Sequence, residues 1–490
     1  MNLQLPLSFR RLLVLSLFAS TACTRSAPAD EKPAAPTGDD TAAVVVSTDD
    51  EDLYYGVYLN KQKVGWMRVQ TITADTVEKR VMLKASLRGM GQVSSIEMNE
   101  RRLYDRRSRR LKGVSFAQKA DTGSVRVEGE VDGEQLALRV TAGNAVSEQR
   151  VSVAETLDDV EVEKRLAQKP EIGRSIRFKR FDGSIQKSVV ATATLLAREK
   201  RFLGGVAADV FQVETNYADL GIVETSWIDA RGKILETKVG GFFLARLEPP
   251  EVAKQIDSTE DVLVSAVIKP PRPLTQPESM ERLKLTFEGF GESLPPHSPR
   301  QVVKAQGAKV HLELQRDPSP PTEMVGKARP DFDEFLKPTA FIQSDDPKIR
   351  EAAKKAAGGA TDIFTAVTRL SHFVYEHVRD EYVPAYSNAL DALESERGDC
   401  TEHSILFVAL ARALGIPARV AVGIAYWPIG GGFGWHAWSE VNIAGRWYSV
   451  DPTWDQPIAD ATHIKLSGGG PAEQARIVML MGRLRIVEMQ

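Results

Sequence analysis

A single cysteine at the start of an apolar helix constrains the fold of this chain more than any other feature. Cys400 follows Asp399, and the run 404–410 is apolar on nearly every side until Gly415-Ile416-Pro417 ends it. Because aspartate is a favoured N-cap residue and glycine a favoured helix end, we expect Cys400 to be the first residue of a buried helix. The positive end of that helix, roughly half an elementary charge, would stabilise a thiolate. Asp399 and Glu402 form a capping-box-like pair whose carboxylates oppose the thiolate, so an imidazolium must help.

Two strand-like segments after this helix supply the imidazole and a carboxylate. His436 lies in the aromatic-rich segment 435–441, and Asp451 follows the strand-like run 446–450. A turn around Ala444-Gly445 would join the two strands and set His436 beside Asp451. The carboxylate would then fix the tautomer of the ring, while the other ring nitrogen faces the thiol.

Four short motifs in this order resemble the transglutaminase-like superfamily: Gly398-Asp399-Cys400, Gly415-Ile416-Pro417-Ala418-Arg419, Trp435-His436-Ala437-Trp438 and Asp451-Pro452-Thr453-Trp454. The resemblance implies a papain-like α+β core with Cys400 as nucleophile, His436 as base and Asp451 as orienting acid. For the oxyanion it places one donor, the backbone N–H of Cys400. Members of this superfamily include cross-linking acyltransferases, amide hydrolases, peptidases and inactive scaffolds, so the resemblance indicates a class of chemistry.

Each of these residues also has a simpler interpretation. A cysteine at a helix start is often a small buried apolar residue, and a histidine between tryptophans is often part of a packed core. A zinc site built on Cys400 and His403 would offer two ligands where a structural site needs four, and the only other cysteine is Cys23. We expect His403 on a flank of its helix, and His372 and His377 at the surface or in packing.

The first residues indicate export. Residues 1–22 contain Arg10-Arg11, a short apolar run at 12–19, and Ser20-Thr21-Ala22 directly before Cys23. This arrangement resembles a bacterial lipoprotein signal in which Cys23 is lipidated after cleavage, and the apolar run is too short to span a bilayer as a helix. The alternatives are a signal cleaved near Ala22 without lipid, or twin-arginine export, which the sequence matches poorly.

Lipidation of Cys23 would leave Cys400 with no intramolecular disulfide partner in an oxidising compartment, which suits a nucleophile. Thr24 follows the lipidated position where an aspartate favours retention at the inner membrane, so we expect a periplasmic protein anchored to the outer membrane. The expected partners are a protein or peptide substrate in the envelope and the membrane itself. The oligomeric state stays open.

Composition divides the chain into five parts. Residues 23–50 hold alanine, proline, threonine and aspartate with no large side chain, which is typical of a flexible tether. Alternating apolar residues around turns such as Asp132-Gly133 predict an antiparallel β domain, open or curled into a partial barrel. The predicted parts are a signal peptide at 1–22, the tether at 23–50, the β domain at 51–269, a Pro-rich linker with short strands at 270–335, and the catalytic domain at 336–490. The Pro-rich segment is either a linker or an annex to one of the two domains.

Within the catalytic part, Asp346 and the proline after it predict a helix start, and 477–487 is interpreted as a closing strand. The net charge of −3 does not favour nucleic acid as a partner. One basic cluster stands out, which would lie on a solvated strand pair or contact anionic lipid or polysaccharide: Arg101, Arg102, Arg106, Arg107, Arg109 and Arg110.

The sequence therefore predicts a two-domain exported enzyme, with an N-terminal all-β domain and a C-terminal α+β transglutaminase-like domain. We expect thiol-dependent acyl transfer, or amide or peptide bond hydrolysis, through Cys400, His436 and Asp451, with no cofactor and no metal. The alternative function is a catalytically silent scaffold that binds an envelope partner through its β domain.

Overall fold

The structure is a computed structural model. It describes residues 51–490 apart from 90–91, 121–122, 143–144, 204–205, 257–265, 292, 327–329, 340, 382–387, 469–476 and 478. The predicted signal peptide, the tether and Cys23 lie outside the described residues. No helix in the described part of the chain is long and apolar enough to cross a membrane.

The N-terminal region is one large antiparallel sheet. Its strands run in the spatial order β8-β7-β6-β5-β4-β3-β2-β1-β14-β13-β12-β11-β10-β9, so nearly every strand pairs with its neighbour in sequence. The elements are β1 (Glu51–Leu59), β2 (Gln62–Thr73), β3 (Thr76–Gly89), β4 (Gln92–Asp105), β5 (Leu111–Ala120), β6 (Gly123–Asp132), β7 (Gln135–Ala142), β8 (Ala145–Ser152), α1 (Leu157–Val160), α2 (Val162–Gln168), β9 (Ser175–Asp182), β10 (Lys187–Leu203), β11 (Val206–Tyr217), β12 (Ile222–Ile228), β13 (Ile234–Val239), β14 (Phe243–Leu247) and α3 (Pro250–Ala253).

This sheet confirms the predicted antiparallel β region and shows that it is open, with β8 and β9 as its two edges. The turn at Asp132-Gly133 joins β6 to β7, and Asp132 pairs with Gln135. Gly133 has a φ of 63°, a left-handed conformation that glycine adopts without steric cost. Alternate residues of these strands are buried, which is why the period-two pattern was readable in the sequence.

Three arginines of the basic cluster, which spans the end of β4 and the turn before β5, are paired with carboxylates of the protein. Arg102 is buried, and its guanidinium donates to both carboxylate oxygens of Glu155 at 2.6 and 2.7 Å. Arg101 pairs with Glu78 at 2.5 Å, and Arg109 donates to a carboxylate of α1 at 2.8 Å. A buried arginine is held by charge pairing in the fold, so Arg102 is not available to an external anion.

The C-terminal region mixes helices and strands, which confirms the predicted α+β class. Its elements in chain order are β15 (Arg282–Glu288), β16 (Gln301–Gln306), β17 (Lys309–Gln315), α4 (Pro347–Ala357), α5 (Ile363–His377), β18 (Arg379–Asp380), α6 (Ala389–Ser395), β19 (Arg397–Gly398), α7 (Cys400–Ala413), β20 (Ala418–Trp427), β21 (Gly432–Ile443), β22 (Arg446–Val450), β23 (Ile464–Gly468) and β24 (Arg485–Met489). Short 3-10 turns occur at Ala218–Leu220, Pro277–Ser279 and Pro330–Phe335.

Strands in the predicted linker belong to a second sheet, of order β16-β17-β15-β24. The closing strand begins at Arg485 rather than at 477, and it pairs with β15, far away in sequence. Arg300 donates to the backbone carbonyl of Asp460 at 2.6 Å, and Gln301 donates to that of Lys465 at 2.8 Å. The segment 282–315 is therefore joined to the C-terminal region by strand pairing and side-chain hydrogen bonds.

The sheet that carries the site has the order β22-β21-β20-β23, and α7 packs against β20 and β21. Every residue of β21 is buried, because the helix covers one face of this central strand and other elements cover the second. The short parallel pair β18 and β19 sets Asp380 beside Gly398, directly before the helix that begins at Cys400. Asp346 caps α4 as predicted, its side chain accepting from the Lys348 amide.

Candidate active site

Helix α7 begins at Cys400 with Asp399 as its N-cap, as the sequence predicts. The Asp399 side chain accepts a hydrogen bond from the Thr401 amide at 2.8 Å, and Glu402 accepts one from the Asp399 amide at 2.9 Å. A Cβ atom at Gly398 would lie 2.1 Å from the Cβ of Glu402, so only glycine lets Glu402 fold back over the helix start. The glycine of this motif is therefore required by the capping box itself.

The charge around the thiol differs from the sequence expectation. Cys400 is only 1% exposed, and Glu402 is equally buried. Burial, together with the neighbouring charge of Asp399, raises the pKa of Glu402 well above its usual range. A higher pKa favours the protonated form of Glu402, so less negative charge faces the thiolate than two ordinary carboxylates in the capping pair would present.

His436 and Asp451 are brought together by the pairing of β21 with β22. The Nε2 atom of His436 lies 2.9 Å from Oδ2 of Asp451, and both side chains are buried. The other ring nitrogen, Nδ1, is buried and has no hydrogen-bond partner in the described part of the chain. With Nε2 engaged by the carboxylate, Nδ1 is the ring atom left to exchange a proton with a thiol.

Asp451 is held by three donors. Its Oδ2 atom lies 2.9 Å from His436 and 3.0 Å from Nε2 of His463, and its Oδ1 atom accepts the Thr453 amide at 2.9 Å. Burial alone would raise the pKa of Asp451, but the charge and hydrogen bonds of the two imidazoles outweigh it and hold the pKa well below its usual range. Asp451 is therefore a buried carboxylate that stays ionised.

The second imidazole, His463, was missed by the sequence reasoning. It is buried, and its Nδ1 atom lies 3.2 Å from Oδ1 of Asp460 while Nε2 contacts Asp451. Burial opposes its charge, but the charge of Asp460 and the hydrogen bonds to both carboxylates raise the pKa of His463 to about 9. Both ring nitrogens can donate at the same time only in the imidazolium form. The two carboxylate contacts and the raised pKa therefore both indicate that the ring of His463 is charged.

The position of His463 depends on a close approach between strands. His463 directly precedes β23, which pairs with β20, the strand that also pairs with β21. A Cβ atom at Gly423 would lie 2.0 Å from the Ile464 carbonyl oxygen, so glycine at this point lets β23 come close. Gly423 is also the register partner of His436. The spacing Asp460-x-x-His463 was the local signal available, and it is too common to identify the contact.

His436, Asp451 and His463 also have the composition of a metal-binding set, with ligand atoms within 4.8 Å of one another. This grouping contains neither Cys400 nor His403, so it differs from the zinc alternative considered from the sequence. The Asp451 oxygen lies at hydrogen-bond distance from both rings, and the second nitrogen of His463 contacts another carboxylate. These contacts fit a carboxylate shared between two N–H donors.

The remaining histidines divide between core and surface. His403 is buried on its helix, and its two ring nitrogens lie 2.7 and 3.0 Å from backbone carbonyl oxygens. Neither nitrogen is directed to Cys400, so the pair does not form a ligand set. His372 is exposed, and His377 stacks on a phenylalanine ring at 4.9 Å, as a surface and a packing residue are expected to do.

Aromatic rings shield the imidazole and border a cavity. The Trp454 ring stacks on the His436 ring with a centroid distance of 4.4 Å and an interplanar angle of 9°. Trp438 lies near His436 as well, at 6.2 Å and 21°. Trp454 also lines a cavity of about 340 Å³, together with Thr453 and Trp427. Two of the tryptophans therefore line a cleft, while the His436 and Asp451 side chains are buried.

In this α+β domain, a helix that begins at a cysteine packs against a strand whose histidine contacts a buried aspartate. This is the layout of a papain-like core. Residues 350–452 match the sequence model of the Transglutaminase-like superfamily, and the chain therefore contains a transglutaminase-like domain. This match supports a thiol-dependent hydrolase or transferase as the general class.

Solved structures similar to this chain come from several bacteria. A candidate cysteine protease from Cytophaga hutchinsonii is 19% identical, with 43% of this chain and 87% of that chain covered and a TM-score of 0.31. A β-barrel-like protein with a domain of unknown function from Brucella abortus is 11% identical, with 40% and 94% covered and a TM-score of 0.32. A candidate protease from Parabacteroides distasonis is 10% identical, with 75% and 65% covered and a TM-score of 0.19. No curated protein matches this chain significantly.

Proposed function

We propose that Cys400, His436 and Asp451 are the catalytic triad of an enzyme that performs thiol-dependent acyl transfer, or amide or peptide bond hydrolysis. The observation that carries this proposal is the contact between Nε2 of His436 and Asp451, which leaves the buried Nδ1 atom for the thiol. The position of Cys400 at the first residue of α7 adds to it, because the helix start favours the thiolate.

In the first half of the reaction, the Cys400 thiol gives its proton to Nδ1 of His436, and the thiolate attacks the carbonyl carbon of an amide. The carbonyl electrons move to the oxygen, and the backbone N–H of Cys400 is a donor for this oxyanion. When the tetrahedral species collapses, the C–N bond breaks, and His436 returns the proton to the departing amine. The product on the enzyme is a thioester at Cys400.

In the second half, a nucleophile resolves the thioester. His436 takes a proton from water or from an amine as that nucleophile attacks, and the Cys400 sulfur leaves and recovers the proton. Water gives hydrolysis and an amine gives transfer, and both routes use the same residues. Throughout the cycle, Asp451 holds the ring of His436 in the tautomer that keeps Nδ1 directed to the sulfur.

We propose that this chemistry takes place on a protein or peptide in the cell envelope, with the enzyme anchored to the outer membrane through lipid at Cys23. The support is the order of a basic pair, an apolar run and small residues before Cys23. Two or three acyl chains at one residue hold a protein on a bilayer far more firmly than a single chain does.

One observation favours the alternative, a catalytically silent scaffold that binds an envelope partner through its β domain: Cys400 is only 1% exposed. The reactivity of the thiol separates the two functions. In the triad, iodoacetamide should alkylate Cys400 faster at pH 6 than it alkylates free cysteine, because the thiolate is already present. His436→Ala should abolish this advantage. A Cys400 that reacts no faster than free cysteine would favour the scaffold.

A further inference from the structure

The cavity of about 340 Å³ beside the triad has a composition that indicates its ligand. One of its walls is Trp454, whose ring stacks on His436 at 4.4 Å. Another is Thr453, whose backbone amide donates to Asp451 at 2.9 Å. A group bound in this cavity would therefore contact residues that themselves contact His436 and Asp451.

The cavity is acidic. Three carboxylates line it, from Glu278, Asp380 and Asp460, and no lysine, arginine or histidine is among its described lining residues. Asp460 is balanced by the ring of His463, which it contacts at 3.2 Å. Glu278 is exposed at the rim, and Asp380 is half-buried.

Two basic residues lie near the cavity without lining it. His403 lies 3.7 Å from Asp380, but burial lowers its pKa, so the ring is neutral near pH 7. Lys269 contacts the loop that forms one side of the cavity, and its ammonium group donates to the backbone carbonyl of Gly430. The exposed carboxylate of Glu278 at the rim is therefore the acidic group most accessible to a ligand that enters the cavity.

The remaining walls are aromatic. Tyr375, Tyr426, Trp427 and Trp454 line the cavity together with two prolines. The faces of aromatic rings attract cations, and they also pack against the methylene stem of a long basic side chain. An acidic rim above aromatic walls thus fits a lysine or arginine side chain better than an acidic or a short polar one.

Two buried polar groups in the same walls point to a peptide. Trp427 is 5% exposed and Thr453 is 2% exposed. Neither Nε1 of Trp427 nor Oγ1 of Thr453 has a hydrogen-bond partner in the described part of the chain. The indole N–H can only donate, so it requires an acceptor such as a peptide carbonyl oxygen.

From these observations we propose that the cavity binds a lysine or arginine side chain of a peptide substrate, with a backbone carbonyl of that peptide accepting from Trp427 and contacting Thr453. That the bound peptide is a substrate rests on the proposed acyl chemistry, but the binding site itself does not depend on that chemistry. The basic residue would lie close to the bond that Cys400 attacks.

Binding to the full-length Cys400→Ala variant tests the proposal without turnover. The probes are three fluorescein-labelled pentapeptides. The first is Ala-Ala-Lys-Ala-Ala, and the other two carry norleucine or glutamate in place of the central lysine. Anisotropy should show the lysine peptide binding about tenfold more tightly than the norleucine peptide, and the glutamate peptide binding most weakly. Added salt should reduce the preference for lysine.

Two variants in the Cys400→Ala background locate the preference. Glu278→Gln should lower it severalfold, and Trp427→Phe, which keeps an aromatic ring, should weaken all three peptides by removing the indole donor. Glu281→Gln is the matched control, because this carboxylate is exposed three positions away and does not line the cavity. It should leave every affinity unchanged.

The outcomes separate this proposal from the proposed function. Equal binding of the lysine and norleucine peptides, or a lysine preference that survives Glu278→Gln, overturns the basic-residue site even if the wild type cleaves peptides. A lysine preference that Glu278→Gln removes supports the site, and it does so even if the Cys400 thiol proves unreactive and the acyl chemistry fails.

Discussion

A charged second imidazole makes the stability of the catalytic region depend on pH in a predictable way. The pKa of His463 is raised from 6.5 to about 9 in the folded protein. A raised pKa stabilises the fold fully at pH values below 6.5, and this stabilisation is lost as the pH rises through 9. The shift corresponds to about 3 kcal/mol in the free energy of unfolding.

The perturbation is His463→Gln, which removes the titrating group and keeps one amide donor for a carboxylate. The free energy of unfolding of the wild type minus that of the variant should be about 3 kcal/mol larger at pH 6 than at pH 9.5. Because the comparison is a difference between two proteins, groups that titrate equally in both cancel. Five of the seven tryptophans lie between residues 427 and 454, so tryptophan fluorescence during urea unfolding reports mainly on this region.

The control is His377→Gln, since His377 contacts a backbone carbonyl oxygen at 2.8 Å rather than a carboxylate. This variant measures what the loss of an imidazole that contacts a backbone carbonyl costs at each of the two pH values. A wild-type advantage over His463→Gln that is the same at pH 6 and pH 9.5 would refute a charged ring. An advantage that disappears on adding a chelator would instead show that His463 is a metal ligand.

Three further predictions follow from the site, the first residues and the β sheet. Cys400→Ala should abolish acyl transfer with the fold intact, His436→Ala should cost nearly as much, and Asp451→Asn should cost less, as substrate turnover will show; full activity of Cys400→Ala would disprove the triad. The wild type should fractionate with the outer membrane and Cys23→Ser should be soluble, whereas identical soluble fractions of both would remove the anchor. Arg102→Met should lower the free energy of unfolding by about 3–5 kcal/mol, because it leaves buried carboxylates without their partner; an unchanged urea midpoint by circular dichroism would contradict this.

The parts of the site that the sequence predicted are those coded by neighbouring residues. Asp399 before an apolar run marks the helix start, and capping is decided within one turn. The hairpin between β21 and β22 is equally local, because Ala444 and Gly445 turn the chain with φ values of 51° and 84°. Asp451 then follows from strand pairing across a tight turn, which fixes the register.

What the sequence did not predict depends on contacts between distant segments. The pairing of β15 with β24 joins residues that are far apart in the chain, so the segment 270–335 resembled a linker when taken alone. The raised pKa of Glu402 depends on how deeply the helix start is buried, and burial is a property of the packed fold. The domain boundaries proposed from composition stay a prediction.

His463 bears on how the site balances its charge. Asp451 and Asp460 are both buried, and a charged His463 cancels one of the two carboxylates. One negative charge then remains to face His436, and it favours the imidazolium that forms when the ring takes the thiol proton. Without His463, two buried carboxylates would share the site, and one of them would have to take up a proton to reduce the cost of burial. An Asp451 that carried this proton would hold the ring less firmly, so we expect the loss of His463 to act on the acyl chemistry through Asp451.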